Sequence, residues 1–279
     1  MPTWLEIESN HIAYIEAGSA ESPPLLLLHG IMSHKGVWAR TMDVLKDRFH
    51  CIAIDQLGFG ESDKPEDKDY SIAKQAERAL QVADHFGFKR FTLMGHSMGG
   101  QVAAYLAAKT APQRVQKLIS IAGVVTGDLS AWAQNFTRQT VAIGAKIPNL
   151  YTASLSLSKR SRAFSYFVFR PWFHDIHGVP YDLWALDRQM AFNREIAFTT
   201  PKAWDSLNTT DLTPALKDIL APTLVLFGNQ DGTVPVKQAH LFKKEFPTAD
   251  LVLLDQCGHF PMYEKFDEYI QFLQAFLKY

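Results

Sequence analysis

Short continuous apolar runs alternate along this chain with longer stretches in which apolar residues return every three or four positions. The runs "LLLLHG", "FHCIAID" (49–55), "RFTLMG" (90–95), "VQKLISIAG" (115–123), "TLVLFG" (223–228) and "DLVLLD" (250–255) predict strands covered on both faces. Ahead of them, "WLEIES" and "HIAYIEAG" read as two strands joined by a tight turn at Ser9-Asn10. Helical spacing fills the gaps. "SIAKQAERALQVADHFG" sets Ile72, Ala76, Ala79, Ala83 and Phe86 on one face and stops at Gly87. "SMGGQVAAYLAAKTAP", "QAHLFKKEFP" and "EKFDEYIQFLQAFLKY" behave likewise. Strand, helix, strand in repetition predicts an α/β fold, a mostly parallel doubly wound sheet of about eight strands with right-handed crossovers.

Residues 124–210 break the rhythm. They hold no run of buried-strand type, yet aromatics crowd them, from Trp132 and Phe136 through Tyr151, Trp172, Trp184 and Phe192 to Trp204. That length is too great for a plain connection. The expectation is a helical cap inserted at 124–210 into a core made of residues 1–123 and 211–279.

Composition narrows the class. The chain has 279 residues, 47% of them hydrophobic and 20% charged, a soluble globular profile. Its 28 basic and 29 acidic residues leave a net charge of -1, which argues against nucleic acid or an anionic membrane as main partner. Two cysteines, Cys51 and Cys257, make no disulfide framework or metal spacing and read as buried thiols of a reducing compartment. The N-terminus lacks the basic flank and apolar core of a signal peptide, and no apolar stretch reaches the ~18 residues that span a bilayer. A cytoplasmic location is therefore expected.

The candidate chemistry starts at "FTLMGHSMGG" (91–100). A strand reverses into a helix at Ser97, with Gly95 and Gly99 two positions either side. Ser97 could be an ordinary N-cap, but the G-x-S-x-G spacing in its strand–turn–helix setting points to an exposed nucleophile. A serine hydroxyl needs a base, and His259 stands in the loop after "DLVLLD", at the same sheet edge. The imidazole needs an acid. Asp231 in "GNQDGTVP" lies beyond the preceding strand, with Asp128 in "GVVTGD" as the alternative. For an oxyanion, the backbone N–H of Met98 follows the nucleophile, and the N–H of Ile31 follows "LLLLHG". His29 is expected to brace that loop, and His96 to pack beneath the elbow.

The segments "LLLLHG", "DQLGFGESDKP", "GHSMGG", "GNQDGTVP" and "CGHFPMYEKF" together resemble the α/β-hydrolase superfamily, in particular its esterase-like members with a helical cap. The resemblance covers residues 10–123 and 211–279 and implies the α/β-hydrolase fold. "DQLGFGESDKP" (55–65) is similar to haloalkane dehalogenases and epoxide hydrolases, but those relatives carry an aspartate at the elbow where this chain has Ser97. Within it, Asp55, Gly58, Gly60 and Ser62 read as structural turn residues.

The expected function is a serine hydrolase acting on small to medium carboxylic esters through an acyl-enzyme, with an apolar small-molecule substrate and no metal or cofactor. C–C bond, thioester or lactone hydrolysis and perhydrolysis would use the same residues. A hydrolase-like receptor with little turnover is the rival outside enzymes. The family's C–C hydrolases tend to follow the histidine with tryptophan, where this chain has Phe260. "HDIH" (174–177) lacks further metal ligands, and "LGFGES" opens no helix as a dinucleotide loop would.

Overall fold

The computed structural model describes residues 3–147, 149, 153, 156–157, 160–185 and 196–278. Its strands are β1 (Thr3–Ile7), β2 (Asn10–Ala17), β3 (Pro24–Leu28), β4 (His50–Ile54), β5 (Phe91–His96), β6 (Val115–Ile121), β7 (Thr223–Gly228) and β8 (Asp250–Leu254). The helices are α1 (Ala39–Leu45), α2 (Ile72–His85), α3 (Met98–Tyr105), α4 (Ala131–Lys146), α5 (Arg162–Phe169), α6 (Ile196–Thr209), α7 (Lys237–Glu245), α8 (Pro261–Glu264) and α9 (Phe266–Leu277).

The eight strands form one sheet in the order β1-β2-β4-β3-β5-β6-β7-β8. β1 and β2 run antiparallel to their neighbours, and every later pairing is parallel. Every residue of β4, β5 and β7 is buried, as continuous apolar runs in a doubly covered sheet should be. Side chains alternate between two cores. Leu26, Leu28, Ile52 and Leu93 face α2 and α3 on one side, while Leu25, Leu27, Ala53 and Met94 face α1 and α9 on the other.

Three local details depart from the sequence pattern. The first hairpin turns on Glu8-Ser9, because Ile7 pairs with Asn10 and the Asn10 amide donates back to Glu8 O at 2.8 Å. Both turn residues have positive φ, 54° and 59°. β8 carries a buried-type run but is an edge strand, and Leu251 to Leu253 are only half-buried. α3 does not continue to Pro112 as one α-helix. It passes into a π turn at Leu106–Thr110, and Ala111 turns out of helical geometry before the proline, which disfavours α backbone in the residue ahead of it.

Between β6 and β7 the described residues contain helices and no strand. Trp132 and Phe136 on α4 pack edge-on against Trp172, with centroids 4.9 and 5.0 Å apart. Tyr151 and Phe192 lie outside the described residues, as does the rest of the 124–210 segment not named above. Cys51 and Cys257 are fully buried, and burial raises both thiols, Cys51 to about 12. No described helix is long and apolar enough to cross a membrane.

Candidate active site

Ser97 sits where β5 must become α3, and its backbone shows the cost: φ 56° and ψ -120°. An L residue held there stores about 1–3 kcal/mol of strain, so the surroundings must enforce it. They do. Ser97 N–H donates to Ile121 O at 2.9 Å, and Ser97 O accepts from Gln101 N at 3.1 Å. Ser97 occupies the N-cap position of α3, yet its side chain makes no capping hydrogen bond. Ser97 lines a cavity instead.

The flanking glycines are required by close approach. A Cβ on Gly95 would lie 2.1 Å from Gly99 O, and one on Gly99 would lie 2.3 Å from Leu28 O. Both obstacles are backbone and cannot rotate away. Gly95→Ala is therefore expected to cost about 3 kcal/mol or more, roughly 10 °C in melting temperature for a chain of this size. A thermal melt of the variant that overlays the parent's would show that the elbow can relax.

Beyond β7 and β8 the two chains stay paired as loops. Asn229 N donates to Leu254 O at 2.8 Å, Gln230 N to Cys257 O at 2.9 Å, and Cys257 N to Gln230 Oε1 at 3.1 Å. This ladder delivers Asp231 to His259, with Oδ2 2.7 Å from Nδ1 and both side chains almost wholly buried. The other carboxylate oxygen, Oδ1, accepts from the N–H groups of Thr233 (2.7 Å) and Val234 (3.0 Å). A carboxylate can only accept, so Nδ1 is the donor and the neutral ring keeps its lone pair on Nε2. Asp128, the alternative acid, is exposed and paired with Lys237. The structure brings Asp231, not Asp128, to the histidine.

The loop carrying Ile31 is braced by His29. Gln56 N–H donates to His29 Nε2 at 3.0 Å, which leaves Nδ1 as the donor to Gly30 O at 2.7 Å. Behind it lies an ion pair that the sequence pattern did not suggest. Asp55 is fully buried and accepts from Lys35 N at 2.5 Å, Lys35 Nζ at 2.7 Å and Glu61 N at 2.8 Å. Burial pulls the Lys35 ammonium down, but Asp55 and Glu61 outweigh it and hold the group above its ordinary value. Ser62 Oγ donates to Asp55 O at 2.6 Å and accepts from Ala13 N at 2.8 Å, so Asp55 and Ser62 shape the turn as expected. Among the described residues, the Ile31 and Met98 N–H groups have no hydrogen-bond partner.

Ser97, His259 and Ile31 share one narrow cavity of about 30 Å³, walled by Trp132, Phe136 and Trp172. Three further residues tie this region together, of which only Trp172 lies outside the quoted motifs. His96 Nε2 donates to His259 O at 2.8 Å, and His259 N–H donates to Trp172 O at 2.8 Å. Glu264 accepts from Gly258 N at 2.9 Å through Oε1 and from His174 N at 2.7 Å through Oε2. The two histidines of "HDIH" thus have separate contacts: His174 offers its main chain to Glu264, and His177 stacks on Tyr166 at 4.5 Å.

Burial pushes the Glu264 carboxyl up to about 7, against the pull of its backbone donors. Its unfolded value is 4.5, so between 4.5 and about 7 the folded state holds the extra proton. Folding stability from this group therefore falls as pH rises through that window. Glu264→Gln should flatten the slope, seen as the difference between parent and variant in denaturant melts at several pH values. Parallel pH slopes in the two proteins would contradict it.

Residues 23–266 match the family model described as the alpha/beta hydrolase fold. The chain belongs to that family. This α/β hydrolase is 30% identical to an uncharacterized protein of Mycobacterium tuberculosis, over 95% of this chain and 77% of the other. It is 28% identical to Lipase 1 of Psychrobacter immobilis, over 98% of this chain and 84% of that one. Among solved structures, a membrane phospholipase A that is a bacterial virulence factor superposes with a TM-score of 0.79 at 30% identity, covering 99% of this hydrolase and 85% of that chain.

Proposed function

We propose that this α/β hydrolase is a serine esterase that cleaves small to medium carboxylic esters through an acyl-enzyme on Ser97. The observation that carries the reading is the buried Asp231–His259 hydrogen bond of 2.7 Å at the cavity that Ser97 also lines. Asp231 holds the imidazole in the tautomer whose Nε2 can accept a proton, and it stabilises the imidazolium that follows. His259 takes the Ser97 proton as Oγ bonds to the ester carbonyl carbon. The carbonyl oxygen gains the electron pair and rests against the N–H groups of Met98 and Ile31. Collapse of this intermediate expels the alkoxide, which takes the proton from His259. Water, deprotonated by His259, then cleaves the acyl-enzyme and restores Ser97.

Residues 124–210 act as a cap in this reading, with Trp132, Phe136 and Trp172 as an apolar wall for the acyl or aryl group. Two relatives named a lipase and a phospholipase support ester chemistry over the alternatives. The test is kcat/KM on p-nitrophenyl esters of increasing chain length, beside labelling by a fluorophosphonate. Turnover of several esters with stoichiometric labelling is expected. Absence of both would sink the assignment.

A further inference from the structure

The near-zero net charge conceals a segregation. From Leu129 to His174 the chain carries Arg138, Lys146, Lys159, Arg160, Arg162 and Arg170 and not one aspartate or glutamate. The rest of the molecule holds 22 basic against 29 acidic residues. Exposed apolar side chains concentrate in the same segment. Among the described residues, Ile143 (40% exposed), Ile147 (52%), Leu157 (47%) and Phe167 (79%) are four of the seven large hydrophobics that face solvent.

The two sets of side chains share helix faces. At the end of α4, Ile143 and Lys146 stand at i and i+3 on the last turn, and Ile147 follows as the first residue past it. On α5, Ser165 and Phe169 are buried, so the outward face is Ala163 and Phe167, continued by Arg170 just past the helix end, at i, i+4 and i+7. Arg162 lies over the Tyr181 ring at 4.7 Å and only 4.0 Å from exposed Asp182. Among the described residues, Lys146, Arg160 and Arg170 have no ion-pair partner. On each of the two helix ends, exposed cations thus stand beside projecting aliphatic or aromatic groups.

We infer that these two helix surfaces dock together on an anionic phospholipid bilayer. Lys146, Arg160 and Arg170 meet lipid phosphates while Phe167 and the Ile143/Ile147 pair enter the headgroup boundary. The excess of acid elsewhere on the molecule repels the same surface and orients the cationic face toward it. Nucleic acid would satisfy the cations but leave the aliphatic groups in water. A second copy of the chain would satisfy the apolar groups but oppose like charges. The inference rests on surface residues alone and stands whether or not Ser97 is the nucleophile.

The test is co-sedimentation of the full chain with phosphatidylcholine vesicles, with and without about 30% phosphatidylglycerol. Binding to the anionic vesicles is expected to be ~10-fold or more tighter, and to weaken in high salt as the Debye length shrinks to a few ångströms. Lys146→Gln with Arg160→Gln and Arg170→Gln should remove that preference. Phe167→Gln alone should weaken binding several-fold, and Leu220→Gln, an exposed apolar position elsewhere, should leave it intact. Hydrolysis of a soluble ester should be unchanged in all three variants. Equal binding to both vesicle types, no binding to either, or a loss of binding in Leu220→Gln matching that in Phe167→Gln would overturn the inference. So would a concentration-dependent dimer that Phe167→Gln dissolves in the absence of vesicle binding.

Discussion

Ser97→Ala is expected to lower kcat/KM on p-nitrophenyl esters by about 10⁴–10⁶-fold and to abolish fluorophosphonate labelling. The magnitude follows from what remains. In the proposed mechanism no acyl-enzyme can form without Oγ, while the cavity and the Ile31 and Met98 N–H groups would still bind and polarise the ester. Residual hydrolysis then proceeds by direct attack of water. The fold should be untouched, since the Ser97 side chain makes no cap bond and its strained backbone is held by main-chain partners at Ile121 and Gln101. Alanine carries the same backbone penalty as serine. Equal turnover by parent and variant would remove Ser97 from the mechanism.

For Asp231→Asn, the expected loss in kcat is about 10⁴-fold. The amide can place its NH₂ toward Nδ1, which forces the proton onto Nε2 and leaves the histidine without a base where it is needed. In that orientation the amide oxygen keeps the two backbone donors of Oδ1, so the loop should hold its shape and KM should change little. Asp128→Asn provides the contrast. Its carboxylate contacts exposed Lys237, and the variant should keep parental kcat. If Asp128→Asn collapsed activity and Asp231→Asn did not, the acid assignment would be wrong.

Short-range pattern went a long way here. Six of the eight strands announce themselves as apolar runs, because a strand covered on both faces has no polar side to show. The Gly95-x-Ser97-x-Gly99 spacing was legible for a steric reason that the structure makes concrete, two backbone approaches under 2.5 Å of a hypothetical Cβ. The exposure of β8 was not legible, since edge and centre are properties of neighbours and not of the strand. Nor was the Lys35–Asp55 pair, which joins residues 20 apart that local pattern treats as an exposed lysine and a turn aspartate.

At the candidate site the division is similar. Residue types and their order nominated Ser97, Asp231 and His259, with Asp128 left as an open alternative. Proximity chose between the two acids, through the backbone ladder from Asn229 to Cys257 that brings Asp231 within 2.7 Å of the imidazole. The hold of His96 and Trp172 on the His259 loop emerged only in three dimensions, because each acts from another part of the chain, and the acceptor role of Glu264 toward His174 likewise needed the fold. Charge divides differently: the run from Leu129 to His174 without an acidic residue is written in the sequence, and only the exposure of its side chains needed the fold. A total of -1 is a sum over residues, and it discards where they lie. Composition and periodicity determine which elements form and what chemistry is available. Which side chains meet, and which are left exposed to solvent, depends on contacts between residues far apart in sequence, and only the folded chain creates those.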